Sequence, residues 1–377
     1  MVVIFRDYQR TDRSPARQCE TEFAFYDRCH SPAVKRIRTE LDKWLTNYPG
    51  EHQAEIVQRF RKHSFSAAFF ELFMHEILLG QGYAVSIHPK GGTKQKFPDF
   101  ELSLAENSKV IIEATECIDE TVDDASSPRM KPVYDAINSI NSRYFILLDR
   151  VELKTHGGQP SPQRISRFFG ELNITPEEFG LESKYEDPEI RLFFRLRPKP
   201  VDYSLRSRKI TNIGKYPLKT RWGGGQKAVR DALRRKAKHY GVMDSPFVIA
   251  VNTIGTFGFS KDECIETLFG SIIESISAFT QTMKVTNKQD GFFGCPDSPR
   301  NTRVSGVICA RVDPKNVHHV DITLYRNPWA VNPLPNNFWK LPFVEYSSGE
   351  VVRGNCKVTT GEILNLDEEW PGDFFPP

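Results

Sequence analysis

The chain has 377 residues, more than one hydrophobic core usually fills, so one large domain or two ordinary ones are expected. A hydrophobic fraction of 39% and a charged fraction of 26% exclude a disordered or fibrous chain and describe a globular protein. The net charge of +3 neither requires nor excludes a nucleic-acid partner, because phosphate binding depends on where basic groups cluster.

Seven cysteines (Cys19, Cys29, Cys117, Cys264, Cys295, Cys309 and Cys356) form no CxxC pair and leave an odd count, which fits reduced, mostly structural thiols. The apolar start MVVIF gives way at once to charge, too short for a signal peptide. No later run reaches the roughly 18 apolar residues of a membrane span. A cytoplasmic protein without a membrane segment is the expectation.

Val34, Ile37, Leu41 and Leu45 recur at helical steps, and Pro49-Gly50 is read as the end of that helix. Residues 1–60 are taken as an N-terminal helical extension. FSAAFFELFMHEILL, Phe65 to Leu79, is apolar on nearly every face, which predicts a helix buried against a sheet and stopped by Gly80 and Gly82. Strands are predicted over Tyr83–His88, Pro98–Leu104 and Val110–Glu116, the last two joined as a hairpin through AENSK. A Pro- and charge-rich insertion, about 119–221, carries two further strands, Tyr144–Val151 and Ile190–Leu196, as a hairpin of its own. A helix over Gln226–Tyr240 and a strand over Phe247–Asn252 follow. Beyond them come a helix over about Asp262–Phe279, a strand pair Arg303–Val312 and Val320–Tyr325, and an irregular aromatic tail.

The hairpin places Asp99 at the start of one arm and Glu113 near the end of the other. Side chains alternate along a strand, so two carboxylates converge at the strand ends. Hard divalent cations such as Mg²⁺ or Mn²⁺ take such oxygen ligands, and phosphodiester cleavage needs such an ion. The order of buried helix, strand and PD…E hairpin over Phe65–Glu116 resembles the PD-(D/E)xK, restriction-endonuclease-like nuclease superfamily. The resemblance implies that Asp99 and Glu113 are metal ligands, that Ala114 lends its carbonyl, and that Glu71 of the preceding helix completes the site. Glu76 of the same helix is an alternative to Glu71.

Where the family carries a lysine, this chain has Thr115, in Glu113-Ala114-Thr115. The lysine is either lost or supplied from elsewhere, and Lys236 is the candidate donor. It lies within the apolar stripe Val229, Ala232, Leu233, Ala237 and Tyr240, where an unpaired ammonium is costly. A stem packed on the core with the ammonium in solvent is the other reading. Lys236 and Tyr240 are also similar to the QxxxY helix motif of some superfamily members. Arg230, Arg234 and Lys238 on the outer face of this helix, and Lys94 and Lys96 in KGGTKQK before the hairpin, are candidate nucleic-acid contacts or ordinary solvated charges. The loop RWGGGQ is read as a hinge, since it lacks GK[ST].

The expected fold is α/β: a restriction-endonuclease-like mixed central sheet flanked by helices, with a large insertion and a C-terminal elaboration. The nuclease core spans 61–255 and the elaboration 256–377. The expected activity is Mg²⁺-dependent hydrolysis of DNA, with a role in restriction or defence implied only by the resemblance. DNA is the expected partner, and a homodimer or protein partner is left open. The alternatives are a catalytically inactive nuclease-fold nucleic-acid-binding module and a regulatory or interaction protein.

Overall fold

The computed structural model describes residues 2–62, 64–90, 93–94, 96–104, 108–118, 124–154, 158–200, 211–217, 224–256, 259–270, 272–276, 283–287, 290–347, 350–354 and 358–374. Residues 105–107 of the hairpin turn, Gly91, Gly92 and Gln95 of KGGTKQK, residues 221–223 of RWGGGQ, residues 277–279 of the expected last helix and Cys356 lie outside them. The chain divides into two compact units. The first comprises Met1–Asp7, Ala33–Glu120 and Gly223–Asp373, and the second Tyr8–Pro32, Thr121–Trp222 and Phe374–Pro377.

The first unit is built on a mixed eight-stranded sheet whose spatial order follows the chain. The strands are β1 (Ala84–Ile87), β2 (Phe100–Ser103), β3 (Lys109–Ile118), β4 (Phe247–Gly255), β5 (Gly306–Arg311), β6 (Asp321–Arg326), β7 (Phe343–Ser347) and β8 (Glu350–Gly354). β1, β2 and β3 are antiparallel neighbours, with Phe100 opposite Ile112; β4 runs parallel to β3, and β5 parallel to β4. Helices flank the sheet: α1 (Pro32–Asn47), α2 (Gly50–Arg61), α3 (Phe65–Gly80), α4 (Gly224–Ala237), α5 (Lys261–Phe269) and the short α6 (Thr360–Leu364).

Alternation along β3 divides its residues between two layers. Ile111 and Cys117 join Val229 and Leu233 of α4, Leu268 of α5 and Ile249 and Val251 of β4 in one apolar cluster. Val110 and Ile112, of the opposite parity, are also buried, and α3 packs against this strand. α3 is buried along nearly its whole length, as an apolar all-round helix must be. Gly80 is its last residue, where a Cβ would collide with Ile363 of α6, and Gly82 turns the chain away with φ of +90°.

The helix expected over Gln226–Tyr240 ends at Ala237, with Tyr240 in the turn beyond it, and two further helix boundaries add to or depart from the sequence reading. Pro49-Gly50 closes the first helical segment, since α1 stops at Asn47, but it also opens the next: Pro49 stands at the N-cap of α2, where a missing N–H costs nothing. The helix expected to run to Phe279 stops at Phe269, because Gly270 takes φ of +107°, and the β-branched stretch Ile272–Ile276 forms a strand paired with Met283–Asn287. Ser260 and Glu263 form a capping box at the start of that helix.

The second unit has its own core. Tyr144–Leu153 pairs antiparallel with Ile190–Pro198 and parallel with Ile213–Lys215, and Ser183–Glu186 completes a four-stranded sheet. Helices Lys131–Ser139 and Pro162–Glu171 contribute Val133, Ile137, Ile165 and Phe169 to its apolar cluster. The hairpin read from the sequence is thus part of a larger sheet with helices. Among the described residues no helix is long and apolar enough to cross a membrane.

Phe73 of α3 is fully buried against Phe69, Phe70 and Trp44, with ring centroids 6.1, 6.5 and 6.3 Å away. Phe73→Ala is expected to destabilise the first unit by about 3–5 kcal/mol. Denaturant unfolding followed by tryptophan fluorescence checks this, and a loss below about 1 kcal/mol would mean that α3 is not a core element.

Candidate active site

Asp99 stands one residue before β2, and its carbonyl accepts the His88 N–H across the β1–β2 arm at 3.1 Å. Its carboxylate is directed toward β3, where the Ala114 N–H donates to Oδ2 at 2.7 Å. The proline before it and the hairpin pairing behind it together fix this position.

Glu113 is buried in β3, on the face that α4 covers. A carboxylate there requires partners, and α4 with the turn after it supplies two. The Lys236 ammonium donates to Oε1, and the Tyr240 hydroxyl donates to Oε2. Lys236 is the last residue but one of α4; the His239 N–H then bonds the Lys236 carbonyl at 3.0 Å and closes the turn that delivers Tyr240. The Lys–x–x–x–Tyr spacing thus clamps both oxygens of one carboxylate.

Glu71 of α3 is equally buried and equally engaged. The Tyr48 hydroxyl donates to Oε1 at 2.7 Å and Arg59 of α2 to Oε2 at 2.6 Å. Glu76, the alternative to Glu71, is instead bound to Asn47 at 2.9 Å and His75 at 3.1 Å. Tyr48 and Arg59 escaped the sequence reading. The signal for Arg59 was present: it stands three residues after Ile56 and one before Phe60 on the buried side of α2, as Lys236 does on α4.

Burial and the negative charges of Glu113 and Glu71 hold the Asp99 carboxyl well above its usual range, against the opposing pull of the Ala114 N–H and Lys236. Burial and Glu71 likewise raise the Tyr48 hydroxyl, and burial and Glu113 raise Tyr240, so both phenols remain donors. Burial pulls the Arg59 pKa down, but Glu71, Asp99 and Tyr48 outweigh it and raise it. Asp99 therefore lies in the field of two carboxylates that keep their own donors. An excess of negative charge on a concentrated set of oxygens is what a hard divalent cation relieves.

The basic candidates fall into two groups. The Lys94 ammonium donates to the Lys238 carbonyl at 2.8 Å, and Lys96 reaches the His239 ring at 3.3 Å. Together with Lys238 they surround the turn that carries Tyr240. Burial, Lys96 and Lys236 lower the His239 pKa, so this ring is held neutral between cations. Arg230 and Arg234 lie earlier on α4, and Arg234, about 200° around the helix from Lys236, is exposed and 3.7 Å from Asp231.

A carboxyl with a raised pKa favours the fold below its ordinary value of 3.8 and loses that contribution as pH rises through its folded pKa. Asn can still accept the Ala114 N–H, so Asp99→Asn is expected to be more stable than the parent at neutral pH without divalent ions, by about 0.5–2 kcal/mol. Thermal unfolding between pH 5 and 8 in a chelator reads this as a gap that widens with pH. A variant that is less stable at pH 8 would contradict the charge crowding. No known protein family, curated protein or solved structure matches the chain, so the case for what this site does rests on its geometry and chemistry.

Proposed function

We propose that Asp99 and Glu113 form a divalent-metal centre, of the Mg²⁺ or Mn²⁺ class, for hydrolysis of DNA phosphodiesters. The observation that carries this reading is the ion pair between Lys236 of α4 and Glu113 of β3. It puts an ammonium beside the ExT strand, whose own third position is Thr115. The order of α3, the antiparallel β1–β2–β3, α4 and a β4 parallel to β3 is similar to the core of the PD-(D/E)xK superfamily. That likeness supports the finer fold reading.

The residues fit the ion. Asp99, Glu113 and Glu71 offer oxygens only, which suits a hard cation, and each carboxylate oxygen that accepts one hydrogen bond keeps a second lone pair. Ala114 follows Glu113 directly and commits its N–H to Asp99, which aligns Asp99 for this role. When bound, the cation supplies Lewis acidity to the phosphate and lowers the pKa of water at the site.

The chain's own residues do the rest. Tyr240 fixes the rotamer of Glu113, so that carboxylate does not swing when a substrate anion approaches. Lys236, three-quarters buried and held by Glu113, has donors left over to orient the attacking water or meet charge growing on the phosphate. Arg59 pairs with Glu71 and holds its carboxylate in place. Lys94, Lys96 and Lys238 form a cationic rim for the DNA backbone.

Thr115 favours one rival, a nuclease-fold module that binds nucleic acid without cutting it. Cleavage separates the two. The full chain with Mg²⁺ is expected to nick or cut plasmid DNA, and Asp99→Ala and Glu113→Ala are expected to fall to the level seen with chelator. Retained DNA binding with no cleavage by the parent protein under any divalent ion would establish the rival. For the rim, Lys94→Ala and Lys238→Ala should each reduce the salt slope of DNA binding by about 1. An unchanged slope would assign both lysines to the fold alone.

A further inference from the structure

His52, Glu55 and His88 are a different set of residues from the carboxylate pair, and each offers one ligand atom, all within 4.8 Å of one another. We propose that they form a separate site for a transition-metal dication of the Zn²⁺ class. This goes beyond the nuclease reading and does not depend on it.

The three side chains come from two elements. His52 and Glu55 are three residues apart in α2, one turn of the helix, and so share a face. His88 follows β1 directly and meets them from the sheet, its ring centroid 5.0 Å from that of His52. His88 has a left-handed backbone, φ of +49°, which a residue with a Cβ adopts at a cost of about 1 kcal/mol or more. Its N–H bond to the Asp99 carbonyl pins that conformation, which brings the imidazole against His52. Two imidazoles brought edge to face beside a carboxylate are a ligand set in search of a cation.

The donor types select the ion. Imidazole nitrogen suits Zn²⁺ and its neighbours, whereas Mg²⁺ takes oxygen, so the two sites sort metals by chemistry. Bond lengths near 2.0–2.1 Å place tetrahedral ligands about 3.4 Å apart. The ligand atoms already lie near that distance, and with His52 and His88 half-buried and Glu55 exposed there is space for the side chains to close it. Three protein ligands leave a coordination position for water or an anion. The ion joins α2, which carries Arg59, to the β1–β2 arm, which carries Asp99, and so clamps the two elements that bracket the carboxylate site.

The test is calorimetric titration of the chelator-treated full chain with Zn²⁺ in the presence of saturating Mg²⁺, repeated with Co²⁺, whose visible absorption reports nitrogen ligands and low coordination number. The expected result is one equivalent of Zn²⁺, weakened at least about 100-fold in His52→Ala and in His88→Asn and unchanged in Asp99→Ala. Asn tolerates the left-handed backbone, so His88→Asn removes the ligand without disturbing the turn. Zn²⁺ should also raise the unfolding temperature of the parent and not of either histidine variant. An affinity unchanged in both histidine variants, or lost in Asp99→Ala, would overturn the proposal. Failure of this site leaves Mg²⁺-dependent cleavage untouched, so the two readings fail separately.

Discussion

A carboxylate in the middle of a buried sheet is tolerable only while its charge is met. Glu113 is such a group, and the ammonium of Lys236 and the hydroxyl of Tyr240 meet it. Breaking a buried pair from one side typically costs about 3–5 kcal/mol, because it leaves an uncompensated charge. α4 must therefore dock on β3 in one rotational setting, with Lys236 facing the strand and Arg234 facing water. That setting in turn seats Val229 and Leu233 in the shared apolar cluster and delivers β4 to its parallel position beside β3.

The same logic repeats around Glu71, with Tyr48 and Arg59 as its phenol and cation. Two carboxylates are thus neutralised by dedicated partners. Asp99, which has a backbone N–H for a partner, carries the unrelieved part of the charge. A fold selected for stability alone would place no third carboxylate there. The concentration of strain on one side chain, beside an ammonium with donors to spare, is the physical basis for reading the cluster as a site.

Much of this was legible in the sequence, for identifiable reasons. The buried α3, the PD…E hairpin and the amphipathic α4 all express periodicity, and a lone lysine on an apolar stripe calls for an anion. What was less legible involved residues whose meaning depends on context. Pro49 reads as a break, yet it also stands at a helix start. Gly270 was passed over as an interior residue, though its positive φ ends α5. Tyr48 and Arg59 act across space on Glu71, which no local pattern records. His52 and His88 are 36 positions apart, so only the fold could bring them together.

Whether Lys236 takes the part of the missing motif lysine is the point on which the account turns. Single-turnover cleavage of a DNA duplex by Lys236→Ala at saturating Mg²⁺, with divalent-ion binding measured on the same protein, addresses it directly. The expected rate is lower by about 10²–10³-fold with ion binding retained, because the carboxylates remain. Lys236→Arg should recover little, since a planar fork does not replace a compact ammonium in a shaped site. A rate within about threefold of the parent would contradict the account and leave Lys236 a purely structural partner of Glu113.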